Sequence, residues 1–86
     1  MRDSTPSTVR LFGPQADLTG QREIQVEVTP GRTTSADVLQ QLGDKEPALA
    51  ESLPDSRLAV NHEYADPGAP LRGDEELALI GLVGGG

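Results

Sequence analysis

Glu76-Leu77-Ala78-Leu79-Ile80-Gly81-Leu82-Val83-Gly84-Gly85-Gly86 stands at the end of the sequence and governs how the rest is read. In an extended chain Leu77 and Leu79 point one way while Ala78 and Ile80 point the other, because successive side chains alternate between the faces of a strand. Both faces are therefore apolar. A strand of this kind is central or parallel in its sheet, or it buries one face and offers the other to a partner. The acidic turn Gly73-Asp74-Glu75 precedes it and glycine follows it.

Working outward, Ile24, Val26 and Val28 alternate strictly with Gln25, Glu27 and Thr29, the period of a half-buried strand. Thr8-Val9-Arg10-Leu11-Phe12 is an earlier strand with Val9 and Leu11 on one face, stopped by Gly13-Pro14. The stretch Gln15 to Gln21 between them reads as the loose loop of a hairpin. Thr34-Ser35-Ala36-Asp37 has the form of a capping box, since the Thr oxygen can accept an early amide bond while Asp37 reaches back. The helix it starts carries Val38, Leu39 and Leu42 on one face and is expected to stop at Gly43. Glu46-Pro47 restarts a short helical piece with Ala48, Leu49 and Leu53 as packing residues. Leu58-Ala59-Val60-Asn61 and His62-Glu63-Tyr64 are short strand-like pieces around a turn, and Asp66-Pro67-Gly68 centres another turn. The order strand, strand, helix, short strands, strand defines an α+β roll, with a helix packed across one face of a mixed sheet.

Composition bounds what such a roll can do. The chain has 86 residues, no cysteine, one Phe, one Tyr and no Trp, so aliphatic side chains must build one small core. A domain of this size is stabilised by about 5–10 kcal/mol. Without cysteine there are no disulfides, thiolate metal sites or side-chain thiol nucleophiles, which favours a soluble cytoplasmic domain held by packing alone. Residues Met1 to Thr8 lack the apolar core of a signal peptide. Fourteen acids against seven bases, a net charge of -7, disfavour nucleic acid and membrane surfaces and suit a partner with a basic docking face.

Glycine as dense as that of residues 81–86 adds nothing to packing and costs entropy when ordered. It is a linker, a scar or a working tail. For a working tail the terminal carboxylate of Gly86 is the reactive group, and Gly84 and Gly85 let the backbone thread into another protein's narrow site. A carboxylate becomes an acyl donor once adenylation by ATP makes one oxygen a leaving group, and a sulfur nucleophile can then displace AMP. A cysteine-free domain that carried sulfur would carry it there.

Val9-Arg10-Leu11-Phe12, Val60-Asn61-His62-Glu63-Tyr64-Ala65-Asp66, Pro70-Leu71-Arg72-Gly73-Asp74-Glu75 and Leu77-Ala78-Leu79-Ile80 before the terminal glycines resemble the small sulfur-carrier subunits of molybdopterin synthases, the MoaD/ThiS family. The resemblance runs from about Thr8 to Gly86. It implies a ubiquitin-like β-grasp domain over residues 8–82, a disordered segment at 1–7 and a flexible Gly tail at 83–86. It implies that a ubiquitin-activating-like adenylyltransferase uses ATP to adenylate Gly86, and that a sulfur donor enzyme supplies a persulfide sulfur to make the thiocarboxylate. The synthase large subunit would then receive the tail. Catalytic side chains would belong to that subunit, leaving this chain non-catalytic alone and without a bound cofactor. Tyr64, Ile80 and Leu82 would form the partner-binding patch, with Val83, Gly84 and Gly85 threading the channel. Two departures stand out: Gly81-Leu82 replaces a familiar Pro-Pro pair, leaving the entry angle of the tail less fixed, and Gly84 replaces a Ser, Thr or Ala. Carriers for thiamine or tRNA thiolation, a ubiquitin-like protein modifier and an inert interaction module are the alternatives.

The remaining polar residues point to ordinary roles. His62 is the only histidine, without a second imidazole or thiolate beside it, and reads as a turn residue, not a metal ligand. Asp74-Glu75-Glu76 reads as a solvated turn in preference to a divalent-ion site. Tyr64 is either a cross-strand filler or a docking residue, and Ile80 lies under a loop or in an exposed patch. Lys45 is the only lysine, which disfavours polymer building.

Overall fold

In the structure, a computed structural model that describes residues 4–81, Leu77–Gly81 (β5) lies in the middle of a five-stranded sheet. Its neighbours are Thr5–Leu11 (β1) and Ser56–Val60 (β3), and the outer strands are Glu23–Val28 (β2) and Glu63–Tyr64 (β4), in the order β2-β1-β5-β3-β4. β5 runs parallel to β1, with Val9 opposite Leu77 and Leu11 opposite Leu79, and antiparallel to β3, with Leu58 opposite Leu79. The two apolar faces of β5 thus correspond to a central strand with one parallel neighbour.

One face of the sheet is covered by the helix Ser35–Lys45 (α2) and the short helix Pro47–Ala50 (α3). Val9, Leu11, Ile24, Val26, Val28, Leu58, Leu77 and Leu79 from the strands close on Val38, Leu42, Leu49 and Leu71, all buried. Thr34 caps α2 as the sequence predicts: Asp37 N–H donates to Thr34 Oγ1 at 3.3 Å, and Thr34 N–H donates to the Asp37 carboxylate at 2.9 Å. Buried Ser35 adds a bond from its Oγ to Asp66 O at 2.5 Å, fixing the helix start to the 65–70 turn.

Four boundaries differ from the sequence reading, each for a packing reason. β1 begins at Thr5, so residues 5–7 belong to the sheet and not to a disordered segment. Pro6 is tolerated there because Glu27 opposite turns its backbone outward: Glu27 N–H donates to Gln41 Oε1 at 2.9 Å, and Gln41 Nε2 donates to Glu27 O at 2.8 Å. With Lys45 Nζ donating to Gln25 O at 2.5 Å, α2 side chains cover the free edge of β2. The 15–21 connection is no loose loop but carries a helix, Pro14–Thr19 (α1), with Pro14 in its first turn and Gly20 closing it at φ 69°. α2 runs through Gly43 to Lys45. Gly43 does not stop the helix; its missing side chain leaves room for Leu53, whose Cδ1 would stand 2.9 Å from a Cβ there. β3 starts at Ser56, two residues before the predicted Leu58, because its ladder with β5 extends to Gly81.

Candidate functional site

The sheet face away from α2 is open, and strand alternation decides what it displays. With Val9 and Leu11 turned to the core, Arg10 and Phe12 turn outward; with Leu77 and Leu79 inward, Ala78 and Ile80 turn outward. On β3, Arg57 and Ala59 take the same side, Arg57 opposite Ile80 and Ala59 opposite both Ala78 and Tyr64. Phe12, Ala59, Tyr64, Ala78 and Ile80 line a shallow depression of about 370 Å³, rimmed by Arg10, His62 and Glu76. Phe12 and Tyr64, the two aromatic residues of the chain, are 51% and 58% exposed, whereas Ile80 is half-buried. Aromatic side chains left this open on a domain with so few of them form an apolar patch. Although the whole chain is acidic, this face carries Arg10 and Arg57, so net charge does not describe it.

Tyr64 is held there by a tight turn. Asn61 and His62 both have positive φ, 51° and 71°, the two-residue turn whose twist suits an antiparallel hairpin and which asparagine adopts more readily than most residues. Asn61 N–H donates to Glu76 O at 2.9 Å, and Glu76 N–H donates to Asn61 Oδ1 at 3.0 Å. The His62 Nε2 lies 2.8 Å from the Glu76 carboxylate, with the imidazole 84% exposed. The β3–β4 hairpin is thereby tied to the start of β5. Within the acidic turn, Glu75 accepts backbone N–H bonds from Arg72 at 2.7 Å and Gly73 at 2.8 Å. Partial burial pushes its carboxyl upward, but those bonds, its own N–H and the nearby Arg72 charge win, holding it below the ordinary value. Glu75 thus serves the turn that aims β5 into the sheet.

The structure brings the predicted Tyr64 and Ile80 together around one depression, with Tyr64 exposed and Ile80 half-buried on the open face. Leu82, Val83, Gly84, Gly85 and Gly86, and with them the expected flexible tail at 83–86, lie outside the described residues, as do residues 1–3. Phe12, Ala59 and Ala78 complete the face without having been singled out in the sequence. The signal for Phe12 was present: it sits one residue beyond Leu11, on the side opposite the core. No group of acidic or imidazole side chains that could hold a metal ion occurs among the described residues. No helix among them is long and apolar enough to cross a membrane.

A mixed five-stranded sheet closing on one main helix, with a central last strand, is the ubiquitin-like β-grasp fold. The crystal structure of Haloferax volcanii small archaeal modifier protein 1 superposes with a TM-score of 0.79 at 28% identity, covering 92% of this chain and 99% of that one. In sequence, the molybdopterin synthase sulfur carrier subunit of Arabidopsis thaliana is 35% identical over 78 residues, 91% of this chain and 80% of the relative. The subunit of the same name from Dictyostelium discoideum is 29% identical over 80 residues, 91% of this chain and 93% of the relative. The ThiS family model matches residues 9–86. The chain belongs to the ThiS family.

Proposed function

We propose that the chain is a sulfur carrier for molybdopterin synthesis, with the Gly86 carboxylate as its working group. The observation that carries this reading is the similarity to two molybdopterin synthase sulfur carrier subunits along nine-tenths of the chain, with the family match running through Gly86. The fold supports it mechanically. β5 is pinned on both sides by β1 and β3 and leads directly into residues 82–86, so the domain is a rigid handle for whatever Gly86 carries.

The chemistry divides between this chain and its partners. An adenylyltransferase of the ubiquitin-activating type binds ATP, a Gly86 carboxylate oxygen attacks the α-phosphorus, and pyrophosphate leaves. A persulfide on the sulfur donor enzyme attacks the acyl-adenylate and expels AMP, forming an acyl disulfide; a second thiol of the donor reduces that disulfide and releases the Gly86 thiocarboxylate. The synthase large subunit docks on the open face through Tyr64, Ile80 and Leu82, while Val83, Gly84 and Gly85 thread its channel and its side chains catalyse sulfur transfer. ATP is consumed by the partner and no cofactor resides in this chain. The compartment is the cytoplasm.

Incubation with the activating enzyme, ATP and a sulfur source is expected to exchange one oxygen for sulfur at Gly86, read by intact mass spectrometry. Failure under conditions that load a known carrier overturns the proposal. Deleting Gly85 and Gly86 should abolish loading and leave the melting temperature unchanged, since the core is built from residues 9–79. A second reading, a protein modifier, is favoured by the likeness to small archaeal modifier protein 1. It predicts Gly86-dependent isopeptide adducts on target lysines. A thiamine or tRNA thiolation carrier instead predicts that pull-down recovers a thiazole synthase or tRNA thiolase and no synthase large subunit.

A further inference from the structure

Gly81 ends β5 in extended backbone, so its lack of a side chain is not demanded by a positive φ. It is demanded by space. A Cβ at Gly81 would run into the Gln15 carboxamide, which lies over the glycine from α1. Gln15 is only 5% exposed, and its Nε2 donates to Ser56 Oγ at 3.3 Å. Ser56, also buried, is the residue paired with Gly81 across the β3–β5 ladder, and its Oγ donates to Ser52 O at 2.7 Å. A buried carboxamide is held in place by such bonds because leaving it unpaired would forfeit the hydration it gave up on burial with nothing in return. The last residue of β5 is therefore covered by a side chain that is itself anchored to the neighbouring strand.

We propose that Gln15 is a positioning residue: seated in the space Gly81 leaves and bonded to Ser56, it clamps the end of β5 and fixes the point from which residues 82–86 continue. The clamp does by packing what a rigid residue at position 81 would do by its ring. Its functional consequence rests on the carrier reading of Gly86. A loosened root lowers the fraction of molecules presenting Gly86 correctly, which weakens apparent affinity for the activating enzyme without altering the chemistry once bound.

Two measurements on Gln15→Ala test this. Backbone ¹⁵N order parameters at Ile80 and Gly81 are expected to fall from about 0.85 toward 0.6, with Leu11 and Leu79 unchanged. In ATP–pyrophosphate exchange driven by the activating enzyme, KM for the carrier should rise about three- to tenfold with kcat within twofold, the signature of lost presentation. The double variant Gln15→Ala/Gly81→Ala, whose added methyl refills the vacated space, should recover part of both effects. Unchanged order at Gly81, a loss spread evenly over the sheet, a matched fall in kcat, or a double variant worse than the single one each overturns the clamp. A wild-type chain that is never adenylated refutes the carrier reading and with it the clamp's role in presentation, and the order parameters then judge the clamp alone.

Discussion

Replacing Ile80 by aspartate separates a docking face from a core. Ile80 is half-buried on the open side of β5, with Arg57 directly opposite on β3. Full burial of an isoleucine side chain is stabilising by about 1.5–3 kcal/mol, so roughly half of that is at stake in the free domain and half remains to be gained on docking. In the free domain the new carboxylate stays in water beside Arg57, an exposed pair that returns at most about 1 kcal/mol. The expected loss of stability is at most about 1.5 kcal/mol, lowering the melting temperature by about 4–8 °C per kcal/mol. In the complex the same carboxylate must be desolvated against an apolar surface, at several kcal/mol before any pairing. Binding to the synthase large subunit should weaken by at least about 3 kcal/mol, roughly a hundredfold in Kd. Thermal unfolding and isothermal titration calorimetry on the same protein read both numbers. Unchanged affinity, or a stability loss as large as that of a core truncation, would show that this face is not where the partner docks.

The corresponding core truncation is Leu79→Ala, fully buried between Leu11 and Leu58; it should cost about 2–5 kcal/mol in urea unfolding. Thr34→Ala removes the α2 cap and should cost about 1 kcal/mol, measured by the shift of the denaturation midpoint. For Glu75 the folded carboxyl titrates below its ordinary value of 4.5, so its contribution is present above that value and is lost as pH falls through the folded one. Glu75→Gln should therefore lower stability at neutral pH and flatten the acid limb of a stability-against-pH profile; an unchanged limb refutes the assignment.

Much of the fold was legible because period-two alternation is a local property. Ile24, Val26 and Val28 declare a half-buried strand without reference to any neighbour, and the double apolar face of Leu77–Ile80 narrows that strand to a central or parallel one or to one that offers a face to a partner. Thr34 and Asp37 declare a helix start because a capping box closes within four residues. The glycines were less legible. Read as chain punctuation, Gly43 ends a helix and Gly81 follows a strand, yet Gly43 lies within α2 to admit Leu53 and Gly81 ends β5 to admit Gln15. A glycine chosen for dihedral freedom and one chosen for space look alike until the neighbour that fills the space is known.

The same distinction runs through the site. By itself the sequence determined that no side-chain thiol is available, because residue identity decides which reactive groups exist. It also determined that Ile80 faces away from Leu77 and Leu79. Only the tertiary structure decided that Phe12, Ala59, Tyr64 and Ile80, from four parts of the chain, meet around one depression. Only the structure placed Gln15 over the end of β5, since strand order, register and cross-chain packing depend on contacts between residues far apart in sequence.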